Sequence, residues 1–464
     1  MRPVTFIVVM AVAIGASRAS AAEIAAHALA LAAGYKAAFL CSGIFDAGQS
    51  QAQIAADDLE GIYPEYQQAV RMLPAVVDRS TRTVSVAFEP NLPPRVAAWR
   101  RLLGCAQLPV GAAPASAARL PSLRIQPPAG DADARPWPDG DRNAGAPLPA
   151  LGVVVARAFD AASYGAADRT TAVVVVADGR IVAERYRDGY DLHTPQRTWS
   201  VAKSLTATLI GRAVRLGLIQ VDAPTHIPEW NRPGDPRAKI TLAQLMSMES
   251  GLWTNGPGNR TDEIYLGGAA VSQYATAIPL EAAPGSRFRY ANDDVLLAAR
   301  TLRAALGDDS ERSLAFPFTE LMWRIGMRHT TPETDWRGNY VLSSQVWSTA
   351  RDLARLGLLY LNDGVWDGER LLPEGWSRFV ATPAPVQPEG VATGGPGYGA
   401  LFWLFGARQG LPAGTYAMIG NRGQYVFVVP AKGVVIVRRG FDAAGAAQFD
   451  GAKFAREVLA VMGR

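Results

Sequence analysis

Ser200-Val201-Ala202-Lys203 opens an apolar run that closes at Gly217, and the reading of this stretch decides the fold. Leu205, Leu209, Ala213 and Leu216 follow Val201 at helical spacing, and Gly217 supplies a C-terminal stop. Ser200 then sits in the first turn, with Lys203 on the same face three residues on. The positive helix terminus favours negative charge on the serine oxygen. A serine hydroxyl attacks poorly until an adjacent base takes its proton. An amine can be that base if desolvation lowers its pKa toward neutrality. Trp199, Val201, Ala202, Leu205 and Ala207 are apolar enough to bury Lys203. The plainer alternative is a Ser200 N-cap followed by a solvated lysine.

Outward from this helix the pattern turns to strands. Thr171 to Ala177 and Ile181 to Tyr186 read as a hairpin turned at Asp178-Gly179. Ala417 to Ile419, Tyr425 to Pro430 and Gly433 to Arg438 read as three more strands, followed by a helix from Ala446 to Met462. Ala150 to Ala162 reads as an amphipathic helix, and Ser200 to Phe379 as a long, mainly helical middle. The fold class expected is α/β (α+β): an antiparallel sheet backed by terminal helices, with a helical subdomain inserted. Ser200 would face the cleft between sheet and insertion.

Two further clusters carry chemistry. Pro284-Gly285-Ser286-Arg287-Phe288-Arg289-Tyr290-Ala291-Asn292 ends in a phenol and a carboxamide two residues apart. Beside a lysine ammonium a tyrosine has its phenolate favoured, so Tyr290 could take the serine proton or return one to a leaving group. Asn292 could hold the Lys203 amine and a substrate carbonyl. The alternative is a core tyrosine and an Asn292 cap on a helix from Asp293 to Ala304. Gly420-Asn421-Arg422-Gly423-Gln424 precedes a strand, where glycines let backbone lie close to a bound substrate. The Ser200 and Gln424 amides are the natural pair to hold an oxyanion, and a plain hairpin turn is the alternative.

Length and composition bound the rest. The chain has 464 residues, 49% of them hydrophobic, enough for two domains. Residues 1–21 read as a secretory signal, with Arg2, an apolar run from Val4 to Gly15 and a small-residue site at Ala19-Ser20-Ala21. A periplasmic or secreted location follows, with no stable membrane anchor after cleavage; an uncleaved anchor is the alternative, though the apolar run is short for a bilayer, and no later segment reads as transmembrane. Residues 22–108 form a small N-terminal α/β unit whose partner is unknown. In it Ala25 to Ala33 and Asp57 to Met72 read as helical, Ala37 to Phe45 and Thr81 to Phe88 as strands. Residues 109–149 are a Pro-, Ala- and Gly-rich linker or surface loop, and 150–464 the second domain. Cys41 and Cys105, the only cysteines, would meet an oxidising compartment and form one disulfide, two separate buried thiols being the alternative. The net charge of +4 falls to about +2 without Arg2 and Arg18, which argues against nucleic-acid binding. His27, His193, His226 and His329 are not spaced as metal ligands, so no metal site is expected, and no Gly-x-Ser-x-Gly turn announces a Ser-His-Asp triad.

Taken in order, Ser-x-x-Lys, Tyr-x-Asn and a glycine-containing strand entry resemble the serine β-lactamase and penicillin-binding-protein superfamily. Trp199 to Ser204, Met246-Ser247-Met248-Glu249-Ser250-Gly251-Leu252, Pro284 to Tyr290 and Gly420 to Gln424 look like the 6-aminohexanoate-dimer hydrolase branch of class C β-lactamase-related hydrolases. Ser348 to Arg355 and Gly397-Tyr398-Gly399 add framework, and the likeness covers about residues 150–464. It implies an acyl-enzyme route on a small-molecule amide or ester, with no cofactor. Ser200 would be the nucleophile, Lys203 the base, Tyr290 the proton relay and Asn292 an orienting group. Asn421-Arg422-Gly423 stands where relatives often carry Lys-Thr-Gly or His-Thr-Gly, and Arg422 restores the charge only if it faces inward. Esterase or short-amide hydrolysis is then expected over β-lactamase activity. D-Ala-D-Ala carboxypeptidase activity, or a binding and sensing role without turnover, are the alternatives.

Overall fold

The unbroken valine run of Thr170–Ala177 has every residue buried, as expected of a strand covered on both faces. In the computed structural model, which describes residues 12–131, 133–166, 168–254, 261–308, 310–445 and 449–463, this strand lies inside a seven-stranded antiparallel sheet. The sheet runs Gly397–Tyr398, Trp403–Phe405, Thr415–Gly420, Gln424–Val429, Val434–Gly440, Thr170–Ala177, Arg180–Tyr186. The expected hairpin turns at Asp178-Gly179, both at positive φ, and the three expected C-terminal strands each form.

One face of the sheet is covered by the helices Leu151–Arg157 and Gly451–Val461, whose apolar residues form a core with Val173, Val175, Phe427 and Ile436. The first of these helices is shorter than the Ala150 to Ala162 expected. The other face carries Ala350–Leu361, capped by Thr349, and the helix Val201–Arg215 that follows Ser200. The insertion is mainly helical, as expected, but includes a three-stranded sheet of Gln196–Arg197, Val346–Ser348 and Thr330–Pro332. Strands of two and three residues are too short to leave an alternating pattern.

The N-terminal unit departs from expectation in two places. Ala37 to Phe45 is helical, the end of one helix Val12–Phe45. It is buried on nearly every side, so its residues lack the one-sided pattern that separates helix from strand. Ala26–Phe45 is long and apolar enough to cross a membrane, with mean hydropathy 1.6, yet 72% of that window is buried inside the protein, as in a core helix. Asp57 to Met72 divides into Gln51–Asp57 and Pro64–Met72, because Gly61 adopts φ +67° and Pro64 starts a new helix. A four-stranded meander, Ala75–Asp78, Thr83–Val86, Arg95–Arg100 and Gly104–Gln107, packs on the long helix. Most of the expected signal segment lies outside the described residues.

Cys41 and Cys105 form a disulfide that ties this helix to the last strand of the meander. The bond closes a separation of 64 residues, and chain entropy puts its worth at about 4 kcal/mol. The Cys41→Ser/Cys105→Ser pair should therefore lower the urea midpoint, by an amount equivalent to about 2–4 kcal/mol, and steepen the slope as the unfolded chain expands. An unchanged midpoint would show that the bond adds nothing to stability.

The core does not stop at the boundary between units. Phe39 packs on Trp199 and Trp347 with centroids at 5.8 and 6.4 Å, and one hydrophobic cluster spans both. Residues 109–131 and 133–149 form one short 3-10 helix, Pro114–Arg119, and otherwise run irregularly, pinned where Trp137 is buried beneath Arg355.

Candidate active site

Ser200 stands at the N-cap position of its helix, but its side chain makes no capping bond. Its Oγ instead accepts a hydrogen bond from Lys203 Nζ at 3.0 Å, so the capping alternative fails. Every residue from Val201 to Ala213 is buried, and Lys203 is 1% exposed. Its Nζ also reaches Asn292 Oδ1 at 2.6 Å and the Ser343 carbonyl oxygen at 2.7 Å. Burial pulls the Lys203 pKa down to about 7, while the neighbouring Asp293 carboxylate pulls it up. A neutral amine donates its two protons to the two carbonyl oxygens and leaves its lone pair for the Ser200 hydroxyl. That is the geometry of a base.

Asn292 begins the helix Asn292–Leu306, one residue earlier than the Asp293 expected, and its amide faces the lysine instead of capping the helix. Tyr290, half-buried, hydrogen-bonds Ser200, and Lys203 Nζ lies 5.1 Å from its ring centroid. The expected phenolate is not favoured. Burial pushes the Tyr290 phenol above its ordinary range, only partly offset by the bond to Ser200. With Lys203 itself drawn toward neutrality, the lysine charge that would have stabilised a phenolate is diminished. A protonated phenol there can donate, and can accept a proton only after giving up its own.

The third cluster is placed differently from the sequence expectation. Gly420 lies against the Ser200 turn: a methyl group there would meet the Thr198 carbonyl oxygen at 2.3 Å and the Ser200 nitrogen at 3.1 Å, so only glycine fits. Asn421 is half-buried and donates from Nδ2 to the hydroxyl of Tyr63 in the N-terminal unit at 3.2 Å. Arg422 does not face inward as a substitute cation. It is 1% exposed, and its guanidinium donates to the backbone carbonyls of Asp57, Asp58, Glu60, Phe441 and Asp442. Its φ of +58° turns the side chain away from the cleft into the N-terminal unit. Gly423 sits against Arg438 and Asp442, and the Gln424 side chain is spent on the Arg422 and Gly440 carbonyls and on Arg439. Of this cluster, Gly420 packs directly against the Ser200 turn.

Three features of the site were not read from the sequence. Ser343 supplies a backbone carbonyl, which carries no residue identity. Asp293 is buried beside Lys203, and burial raises its pKa to about 7 against the lysine's attraction. Trp199 holds φ +50° just before Ser200, clamped between Phe39 and the Arg197 guanidinium 4.3 Å from its ring. Backbone strain of this kind is retained where the surroundings fix a reactive turn. Around Tyr290, Trp403 stacks at 5.5 Å, Tyr398 meets it edge-on at 5.9 Å, and Phe288 packs on Tyr398 at 5.3 Å.

Comparison with known proteins bears on the family and the fold. Residues 155–438 match the beta-lactamase family. A 6-aminohexanoate-dimer hydrolase from Paenarthrobacter ureafaciens is 27% identical over 292 residues, covering 58% of this chain and 72% of its own. Among solved structures, a family VIII carboxylesterase aligns over 69% of this chain and 98% of its own, with a TM-score of 0.54 at 17% identity. A class C beta-lactamase aligns over 67% and 95%, with a TM-score of 0.51 at 16% identity. At these identities the structural matches establish the fold.

Proposed function

The chain belongs to the beta-lactamase family of hydrolases, and on that premise we propose that it cleaves an uncharged ester or short amide through an acyl-enzyme on Ser200. The carrying observation is Lys203 Nζ, buried and held by two carbonyl oxygens 3.0 Å from the serine oxygen. Lys203 takes the Ser200 proton as the serine oxygen bonds to the substrate carbonyl carbon. The Ser200 amide and the Gly420 to Gln424 turn border the developing oxyanion. Tyr290 passes its proton to the leaving group and regains one from Lys203. Water then releases the acyl group by the reverse relay.

Two features favour an uncharged, partly apolar substrate. Arg422 is consumed by backbone carbonyls, so the position that would hold a substrate carboxylate lacks its cation. The aromatic surround of Phe288, Tyr398 and Trp403 suits an apolar acyl or leaving group. The disulfide and the apolar N-terminal segment support export.

A fluorophosphonate probe should label the mature protein once, at Ser200, and leave Ser200→Ala unlabelled; equal labelling of the variant rejects the assignment. Steady turnover of an activated ester or a linear amide supports the reading. A burst of one equivalent without turnover identifies a binding homologue, and faster cleavage of a β-lactam or release of D-alanine from a D-Ala-D-Ala peptide moves the assignment to those activities.

A further inference from the structure

Spacing along the chain gives no reason to group His193 with His329, yet the fold stacks their rings with centroids 4.5 Å apart. Both Nε2 atoms turn toward one carboxylate oxygen, Asp133 Oδ2, at 3.7 Å from His193 and 3.1 Å from His329. Asp141 Oδ2 closes the group at 3.0 Å from His193 Nε2. The four donor atoms lie within 4.8 Å of one another. Zinc bonds of 2.0–2.2 Å in a tetrahedron put neighbouring donors about 3.3 Å apart, within the range of the three distances seen here.

We propose that Asp133, Asp141, His193 and His329 form a zinc site that clasps residues 131–142 to the second unit. Two imidazoles and two carboxylates are a donor set that zinc accepts, and two aspartates balance its charge. Asp141 is already oriented for the role. Its other oxygen accepts from Arg355 at 2.8 Å and lies 3.2 Å from Arg351, so Oδ2 is fixed in aim. Those arginines are themselves paired, Arg351 with Glu184 at 2.6 Å and Arg355 with Asp352 at 3.0 Å, which leaves the ligand carboxylates their charge. Arg328 and Arg135 also lie near Asp133 and oppose a cation, which sets the site's affinity below that of an isolated His2Asp2 cage. His193 is exposed enough, at 45% of its side chain, to give an ion entry.

The site's consequence is mechanical. Asp133 and Asp141 lie in the irregular segment that has no sheet to hold it, and His193 lies seven residues before Ser200 on the strand-and-turn leading to the nucleophile. Zinc would fix that segment to the approach to the cleft. None of the four residues touches Ser200, Lys203, Tyr290 or Asn292 in the described contacts, so the site is independent of the acyl-transfer reading.

The test uses untagged full-length mature protein, stripped with chelator and titrated with zinc chloride. Elemental analysis should find about one zinc per chain, and saturating zinc should raise the Tm by roughly 3–5 °C. His193→Ala and Asp133→Asn should each lose the bound metal and the Tm response, with activated-ester hydrolysis at saturating substrate within about twofold of chelator-treated wild type. Wild type that neither binds zinc nor shifts in Tm overturns the proposal, as does an undiminished response in both variants. His193 is surface-lying, and Asp133→Asn preserves shape, so either variant folds well enough to be read.

Discussion

Lys203→Ala should hydrolyse an activated ester at least about a hundredfold more slowly than wild type while remaining folded, the usual worth of a positioned base. The effect should lie in kcat, because the amine contacts Ser200, Asn292 and the Ser343 carbonyl and is buried behind the nucleophile. The pH profile makes the assignment sharper. Lys203 accepts a proton only in its neutral form, so kcat/KM should rise with pH through a midpoint near its pKa of about 7. Asp293 holds the lysine pKa up, so Asp293→Asn should move that limb to lower pH. A limb that stays near 7 in Asp293→Asn, or that persists in Lys203→Ala, assigns it to another group.

The same shift has a stability sign. A lysine that titrates near 7 when folded and near 10.4 when unfolded binds more protons in the unfolded chain between those values. Stability from this group therefore rises with pH from about 7 to about 10 and is flat outside that window. Lys203→Ala should lose this slope, read as a smaller change in urea midpoint between pH 7 and 9.

Arg422→Ala should destabilise the protein by about 3–5 kcal/mol, through loss of a buried group whose partners cannot turn to water. The guanidinium serves the carbonyls of Asp57, Asp58 and Glu60 in the N-terminal unit and those of Phe441 and Asp442 in the second. Its removal leaves those acceptors buried on both sides of one junction. Lysine should rescue little, since one ammonium cannot span the same fork. Limited proteolysis should then open the chain first between Asp58 and Tyr63, the loop Arg422 holds. A urea midpoint equal to wild type, with no new cleavage there, would refute the role. Activity should fall as well, because the turn from Gly420 to Gly423 carries both Arg422 and the glycine packed on Ser200.

How much of this was legible in the sequence follows from the kind of signal each part leaves. Ser200 and Lys203 are three residues apart on one helix, so their meeting is a consequence of helix geometry. The sheet was legible because β-branched runs such as Val173 to Val176 are flanked by turn residues such as Asp178-Gly179. Tyr290 and Asn292 were marked by local motif and by resemblance, and contacts across the cleft place them. The all-round apolar segment from Ala37 to Phe45 misled because a buried helix and a buried strand share a composition when neither has a wet face.

The sequence by itself determined the fold class, the strand-bearing ends of the second unit, the family and the identity of the hydroxyl–amine pair, since each is written in local periodicity or contiguous motif. Only the tertiary structure decided that Arg422 faces the N-terminal unit instead of the cleft, that Tyr290 stays protonated, and that His193 and His329 share a carboxylate with Asp141 alongside. Direction of a side chain, degree of burial and convergence of distant loops depend on neighbours supplied from elsewhere in the chain. No window of sequence contains them.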